Sequence, residues 1–393
     1  MIMHSDSATL RANWGFPNNM RVGPGRVAEL PDICGELGFK RPLLVTDSGL
    51  REQPMIRNVM TELEHAGMPA DIFSEIQGDP DWFAVETGIN AFRNGGHDSV
   101  IAFGGGSSLD TAKAIALMVG QTRPIWDFED VGDNWKRANA DAIVPSIAIP
   151  TTAGTGSEVG RASVITNTEL GRKVIIFHPR MLPQVAILDP EVTVGLPAWM
   201  TAATGMDAFT HCFEAWCAPG FHPMADGIAL RGLELIAEAL PRAYADGTDI
   251  PARTHMLAAA SMGSVSFQKG LGAVHAVSHP VGVFHHVHHG LTNAIALPYV
   301  MRHNEAAIKD RMGPVAAALG LEEGTFDAVF EWVLAFRRQL GMPHTFAEVD
   351  VGTEHAEAIG RLGEIDPSAD TNPITVKAVD LRQIFENAVS GRL

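Results

Sequence analysis

The feature that most restricts the fold lies between residues 97 and 119. The run His97-Asp-Ser-Val-Ile-Ala-Phe103 reads as a strand and ends in three glycines, Gly104, Gly105 and Gly106. Ser107-Ser108-Leu109-Asp110 then opens Thr111–Val119, a segment of helix-forming composition. A strand that stops at glycines and turns straight into a helix begins a crossover to a parallel neighbour, since antiparallel strands need only a short hairpin. The same rhythm precedes it: Pro42-Leu-Leu-Val-Thr-Asp47, a helical segment to about Ala66, then Ala70-Asp-Ile-Phe73. Val144–Pro150, Val174–Phe177 and Gln184–Leu188 read as further strands, so the pattern predicts a parallel α/β sheet.

Beyond Pro190 the texture changes. From about Pro197, Ala, Leu, Met, His and Glu recur at helical spacing, as in Ala225–Ala239, His255–Ser266 and Val329–Leu340, and no convincing strand follows. The expected architecture is an α/β dinucleotide-binding domain over residues 1–192 and an all-helical domain over residues 193–393. The polar stretch Asp366–Asn372 reads as a mobile loop before a final helix that carries no functional signal.

Composition excludes several classes. A formal charge of −17, from 29 basic and 46 acidic side chains, opposes an extended phosphate backbone, so no nucleic-acid partner is expected. Three cysteines, Cys34, Cys212 and Cys217, are too few for a disulfide framework and suit a reducing, cytoplasmic compartment. The opening residues lack a basic segment followed by an apolar one, and no stretch approaches the roughly 18 apolar residues of a membrane span. One count stands out: six of the 16 histidines fall within His275–His289.

Gly104, Gly105 and Gly106 let backbone N–H groups of Ser107 and Ser108 approach an anion at a helix N-terminus, which makes a pyrophosphate cradle. A second loop, Thr151-Thr152-Ala-Gly-Thr155-Gly-Ser-Glu158, can add hydroxyl donors. A tight strand-to-helix turn is the simpler alternative, because the G-x-G-x-x-G fingerprint and its acidic residue about 20 positions on are missing. The candidate acid lies upstream. Asp47 ends the Leu43–Thr46 strand, where it can accept ribose hydroxyls and repel a 2′-phosphate, or else form an Asx turn before Ser48-Gly49. Lys113, one turn beyond Asp110, either meets a bound phosphate or ribose or sits on a solvated helix face.

Asp207 and His211 stand four residues apart on one helix face, a spacing that suits a divalent cation. His275 and His279 form a second such pair, and Pro280 is expected to limit how much further that helix can run undistorted. Then comes His285-His286-Val-His288-His289. One carboxylate and three imidazoles around a dication would leave about +1 net charge and hence Lewis acidity. Spacing alone leaves open which three. Cys212 and Cys217 are read as core residues.

Taken together, these motifs resemble the iron-containing (group III) alcohol dehydrogenase family. The likeness is carried by Gly104-Gly-Gly-Ser-Ser-Leu-Asp110-Thr-Ala-Lys113, Pro150-Thr-Thr-Ala-Gly-Thr-Gly-Ser-Glu158-Val159, Gly205-Met-Asp207-Ala-Phe-Thr-His211, and His275-x-x-x-His279-Pro280 with His289-Gly290 and Asn293-Ala294. The resemblance implies NAD held between two such domains and a metal bound by Asp207, His211, His275 and His289, with His279 near the nicotinamide. It implies Fe²⁺ first and Zn²⁺ second. It also implies cofactor contacts at Asp47, Asp79, Gly104 to Ser108, Thr151, Thr152, Thr155 and Lys173, to which Asp110 and Lys113 of the glycine-loop motif are added. Asp79-Pro80 departs from the Asn-Pro or Pro-Thr type of many relatives.

The expected activity is reversible hydride transfer between NAD(H) and a small primary alcohol or aldehyde, including a diol or hydroxy acid, with His279 carrying the proton. A zinc-dependent polyol dehydrogenase is the related alternative, and a metal-dependent hydrolase of a phosphorylated substrate the alternative from another class. A homodimer or larger homo-oligomer is expected. His285, His286 and His288 are read as bystanders, and Met206, Trp216, Phe284 and Arg161 as candidates for a substrate-pocket wall.

Overall fold

The structure is a computed structural model that describes residues 17–76 and 78–393. The opening residues read above for an export signal lie outside the described residues. The chain divides into two compact units, Pro17–Thr152 with Gly156–Gly195, and Ala153–Thr155 with Leu196–Leu393.

The first unit is built on six parallel strands, β1 (Asn19–Val22), β2 (Pro42–Val45), β3 (Asp71–Phe73), β4 (Ser99–Gly104), β5 (Ser146–Pro150) and β8 (Val185–Leu188), in the order β1-β8-β5-β4-β2-β3. The helices are α1 (Leu30–Glu36), α2 (Pro54–His65), α3 (Trp82–Gly95) and α4 (Gly106–Met118). The strands read as unbroken apolar runs because both faces are covered. In β4, Val100 and Ala102 join the core beneath α3 and α4, while Ile101 and Phe103 join the core beneath α1 and α2. From β2 the chain moves outward to β3, then returns across β2 to β4 and proceeds the other way. That reversal places a topological switch between the carboxyl ends of β2 and β4, the place where open α/β sheets bind ligands.

Three features differ from the sequence expectation. β1 is a short edge strand of mixed polarity, Asn-Met-Arg-Val, with no hydrophobic run to announce it. β7 (Arg172–Phe177), expected in the sheet, instead pairs antiparallel with β6 (Ala162–Asn167), from Ala162 opposite Phe177 to Asn167 opposite Arg172, as a separate hairpin. In β6 buried and half-buried residues alternate, the signature of a strand covered on one side, which the sequence reading passed over.

The second unit contains, among the described residues, nine α-helices: α5 (Ala198–Cys217), α6 (Pro223–Ala245), α7 (Ile250–Ser266), α8 (Ala273–His285), α9 (His289–Ile308), α10 (Met312–Ala318), α11 (Phe326–Gln339), α12 (Ala356–Glu364) and α13 (Ala378–Ser390). α5 is its axis: every residue from Thr201 to Cys217 is buried, with α6, α7 and α9 packed around it. Most of its length is apolar, as suits a core helix, and Asp207, His211 and Glu214 form one buried polar face. Its carboxyl end is closed by cations, Lys269 donating to the Trp216 carbonyl and Arg311 to those of Cys217 and Ala218.

Pro280 lies inside its helix, near the carboxyl end. α8 continues to His285, and the Ala276 carbonyl that Pro280 leaves without an N–H partner packs against Gly363 of α12, the close approach requiring a residue without Cβ. The stretch Asp366–Asn372 is an ordered 3₁₀ turn, Pro367–Thr371, capped by Asp366, which accepts from the Ser368 amide at 2.9 Å. Asn372 is buried, exchanges two hydrogen bonds with Asn304 and accepts from the Ala273 amide at the start of α8. No described helix is long and apolar enough to cross a membrane.

Candidate metal centre and cofactor loops

In the sheet unit the glycine loop sits at the switch point. Gly104 ends β4 with φ +154°, and a Cβ there would lie 2.5 Å from Ser108 Oγ, so only glycine lets the strand turn into α4. Gly105 is the N-cap of α4 and no side chain caps it. The first amides of the helix are thus not covered by a cap, which is how an anion site at a helix terminus is built. α3, by contrast, is capped by Asp81, which accepts from the Ala84 amide at 3.0 Å.

Asp47 forms the Asx turn. Oδ1 accepts from the amides of Gly49 and Leu50 at 2.9 and 3.0 Å as an Asx turn, while Oδ2 lies 3.4 Å from Ser108 Oγ at the mouth of the glycine loop. The turn fixes the carboxylate; the second oxygen faces the loop. Thr151 continues the ladder by donating from its amide to the Gly104 carbonyl at 2.9 Å, and Thr152 lies beside Gly105. Asp79 and Lys173 pair with one another at 2.8 Å.

Lys113 is not on a solvated face. It is 1% exposed, its ammonium donates to the Ser157 carbonyl at 3.0 Å and to the Ala162 carbonyl, and it lies 3.3 Å from Asp110. Burial pushes its pKa below the ordinary lysine value against the pull of Asp110 and Glu158. Asp110 accepts from Ser157 Oγ at 2.5 Å and the Val164 amide at 2.9 Å. Both side chains therefore tie α4 to the loop and hairpin that follow β5. Arg161 is exposed, its guanidinium 5.5 Å above the Phe177 ring.

In the helical unit, α5 supplies Asp207 and His211, α8 supplies His275 and His279, and α9 begins with His289. The Nε2 atoms of His289, His211 and His275 lie 3.5, 3.6 and 3.9 Å from the same oxygen, Asp207 Oδ1. Asp207, His275 and His289 form the tightest trio, and the His211 ring stacks on His275 with centroids 4.9 Å apart. Bonds of about 2.1 Å hold two ligands of a tetrahedral ion about 3.4 Å apart, so the separations of His289 and His211 from Asp207 come close to a metal's inner shell and that of His275 is wider. Asn293 points the same way. Its buried Nδ2 lies 2.7 Å from Asp207 Oδ1, 3.1 Å from His289 Nε2 and 3.3 Å from His275 Nε2, and its Oδ1 has no hydrogen-bond partner. Three acceptors gathered around one electropositive group form a pocket that a cation fits. Gly290 sets α9 against α5: a Cβ there would fall 2.2 Å from the Ala203 carbonyl.

Burial holds the His211 pKa down at about 4, so near neutrality the ring is neutral and one of its nitrogens keeps a free lone pair. His275 is raised instead. Burial, the largest effect, works against its proton and is outweighed by the hydrogen bond and charge of Glu214 and the charges of Asp207 and Asp366. Glu214 Oε2 lies 2.6 Å from His275 Nδ1, and Oε1 accepts from the Val274 amide at 2.8 Å. His279 Nδ1 lies 2.7 Å from Asp366 Oδ2.

Sequence reasoning missed Glu214 and Asp366. Glu214 was readable, because 207, 211 and 214 share one face of a helix. Asp366 carries no local signal. His285, His286 and His288 lie outside the cluster: His285 is beside His355 and Phe385, His286 takes a left-handed conformation at the end of α8, and His288 meets Trp199 edge-on. Met206 and Trp216 are core residues rather than pocket walls, because α5 is buried all round, and Phe284 stacks on His355. Burial raises the thiols of Cys212 and Cys217 to about 12, which leaves them inert.

Residues 17–190 match the family model "Iron-containing alcohol dehydrogenase", and residues 201–389 match "Fe-containing alcohol dehydrogenase family, C-terminal". The chain is 36% identical over 374 residues to 4-hydroxybutyrate dehydrogenase of Cupriavidus necator, covering 93% of this chain and 96% of that one. It is also 36% identical over 384 residues to the NAD-dependent methanol dehydrogenase of Bacillus methanolicus, covering 96% and 100%. The crystal structure of a 1,3-propanediol oxidoreductase superposes with a TM-score of 0.91 at 31% identity, over 96% of this chain and 99% of that one. Both halves of the chain thus match one enzyme family along nearly their whole length, and the protein belongs to the iron-containing alcohol dehydrogenases.

Proposed function

We propose that the protein reversibly oxidises a small primary alcohol, diol or hydroxy acid to its aldehyde with NAD, using a divalent metal held by Asp207, His211, His275 and His289. The convergence of three imidazole Nε2 atoms on one oxygen of Asp207 carries this reading. Relatives named for methanol, 4-hydroxybutyrate and 1,3-propanediol support a small substrate. Membership of an alcohol dehydrogenase family removes the phosphate-ester hydrolase from consideration.

When bound, the ion supplies Lewis acidity toward an alcohol oxygen, and the nicotinamide supplies a hydride acceptor. The chain does the rest. Asp366 holds Nδ1–H of His279, which leaves Nε2 as the basic nitrogen to receive the alcohol proton and pass it outward. Asp47 accepts the two hydroxyls of the adenosine ribose and disfavours a 2′-phosphate. The first amides of α4, from Gly106 to Ser108, hold the pyrophosphate, with Gly104 and Gly105 giving it access. Thr151, Thr152, Thr155, Lys173 and Asp79 complete the cofactor contacts, and Asp110 and Lys113 brace them. The nitrogen and oxygen donor set suits both Fe²⁺ and Zn²⁺, with Fe²⁺ the first choice.

The test is anaerobic reconstitution of chelator-treated protein with Fe²⁺ or Zn²⁺, followed by absorbance of reduced cofactor with NAD or NADP and a panel of small alcohols. Metal-dependent reduction of NAD with at least one alcohol is expected. Undiminished turnover of the metal-free protein, or no reduction with any alcohol and either ion, would refute the reading.

A further inference from the structure

Glu214 has no part in the ligand set, yet it is buried, and both its oxygens are engaged at the site. We propose that Glu214 is a positioning residue of the metal centre: its carboxylate holds His275 as the Nδ1–H tautomer, so that Nε2 keeps its lone pair for the ion.

The geometry separates this from simple helix capping. Oε1 accepts from the Val274 amide in the first turn of α8, and the preceding amide, that of Ala273, is already taken by Asn372 Oδ1 at 3.0 Å. A neutral amide in place of Glu214 would cap Val274 equally well. The second oxygen is the one without a structural task, and it lies 2.6 Å from His275 Nδ1. A carboxylate in a buried position is costly unless it is paired. Among the described residues Glu214 pairs with no lysine or arginine, and an ion on the far side of the imidazole would balance its charge. Asp207 and Glu214 together carry −2, so a dication among three neutral imidazoles completes a neutral set, where Asp207 alone would leave about +1. A carboxylate on the remote nitrogen also makes the ligating nitrogen more basic, and loss of such a partner typically weakens metal affinity about 10- to 100-fold.

The proposal rests on the metal reading above, and metal binding by the wild-type chain tests that reading separately. The experiment measures Zn²⁺ and Co²⁺ affinity of the full-length chain and of Glu214→Gln by chelator competition, with thermal unfolding of both metal-free proteins. About 10- to 100-fold weaker binding by a folded Glu214→Gln, with altered visible absorption of its Co²⁺ form, supports the proposal. Affinity and Co²⁺ spectrum equal to wild type overturn it, as does a variant that only melts earlier while its folded fraction binds normally. A second measurement needs no variant: two-dimensional ¹H–¹⁵N spectra of the metal-free wild type with labelled histidine report the tautomer of His275. Recorded at alkaline pH, where the imidazole is neutral and carries one proton, a proton on Nδ1 supports the proposal, and a proton on Nε2 overturns it even if Glu214→Gln fails to fold. Wild-type protein that takes up neither ion sinks the metal reading and this proposal with it, whereas normal wild-type binding with an indifferent Glu214→Gln sinks the proposal alone.

Discussion

Asp366 is 87 residues from His279 in the chain and 2.7 Å from it in space. With the proton carried by His279 as proposed, His279→Ala should lower kcat about 10²- to 10⁴-fold in the alcohol assay. An unchanged kcat and pH profile would assign the proton to another group. The carboxylate has a separate signature in stability. Burial works to raise the Asp366 pKa and is outweighed by the charge of His279 and by hydrogen bonds from His279 and Ser368, so the group titrates below the ordinary range. The folded chain then binds that proton less readily than the unfolded one. Its stabilisation is complete above the ordinary aspartate pKa of about 3.9 and drains away as pH falls through the lower folded value. Melting temperatures measured from about pH 6 down to about pH 3 should therefore fall more steeply for wild type than for Asp366→Asn. Parallel curves would show that the pair contributes nothing to acid stability.

At the scale of elements, α4 is joined to the segment after β5 by the Asp110–Lys113 network rather than by apolar contact alone. Lys113→Met leaves the Ser157 and Ala162 carbonyls without this donor and Asp110 without its cation, a loss of about 2–4 kcal/mol. Chemical denaturation should show it, and a change under about 0.5 kcal/mol would mean the network is dispensable. The same elements show what a sequence discloses. β2, β4 and β5 were legible because strands covered on both faces are uniformly apolar, and α5 because Asp207 and His211 repeat at its period. β1 was not, since an edge strand has little to bury, and neither was the course of α8 past Pro280, which depends on Gly363 far along the chain. Helical spacing disclosed the pairs Asp207 with His211 and His275 with His279, and only the family resemblance put His289 rather than His279 in the candidate ligand set. Glu214, the partner of His275, shares the helix face of Asp207 and His211 and could have been read with them, whereas Asp366 reaches His279 only through packing of distant segments.

For the whole molecule, a metal held by α5, α8 and α9 joins three helices of one unit, so its binding free energy adds to that unit's stability. With free metal at 100 times its Kd the gain is about 2.7 kcal/mol, which for a unit of about 200 residues raises Tm by roughly 5–10 °C. Calorimetry of metal-free and reconstituted protein should show the rise in the transition that includes the helical unit. Identical melting in both forms would mean that the ion does not bind there. The late position of Asp366 has a further consequence, for synthesis. His289 is the last candidate ligand to be made, and Asp366 follows 77 residues later (366 − 289). At about 5–20 residues per second the ribosome takes roughly 4–15 s to cover that distance. A growing chain therefore carries all four proposed donors before it carries the carboxylate beside His279, and chains whose translation stops in that interval end with the proposed ligands but without the partner of the proposed relay.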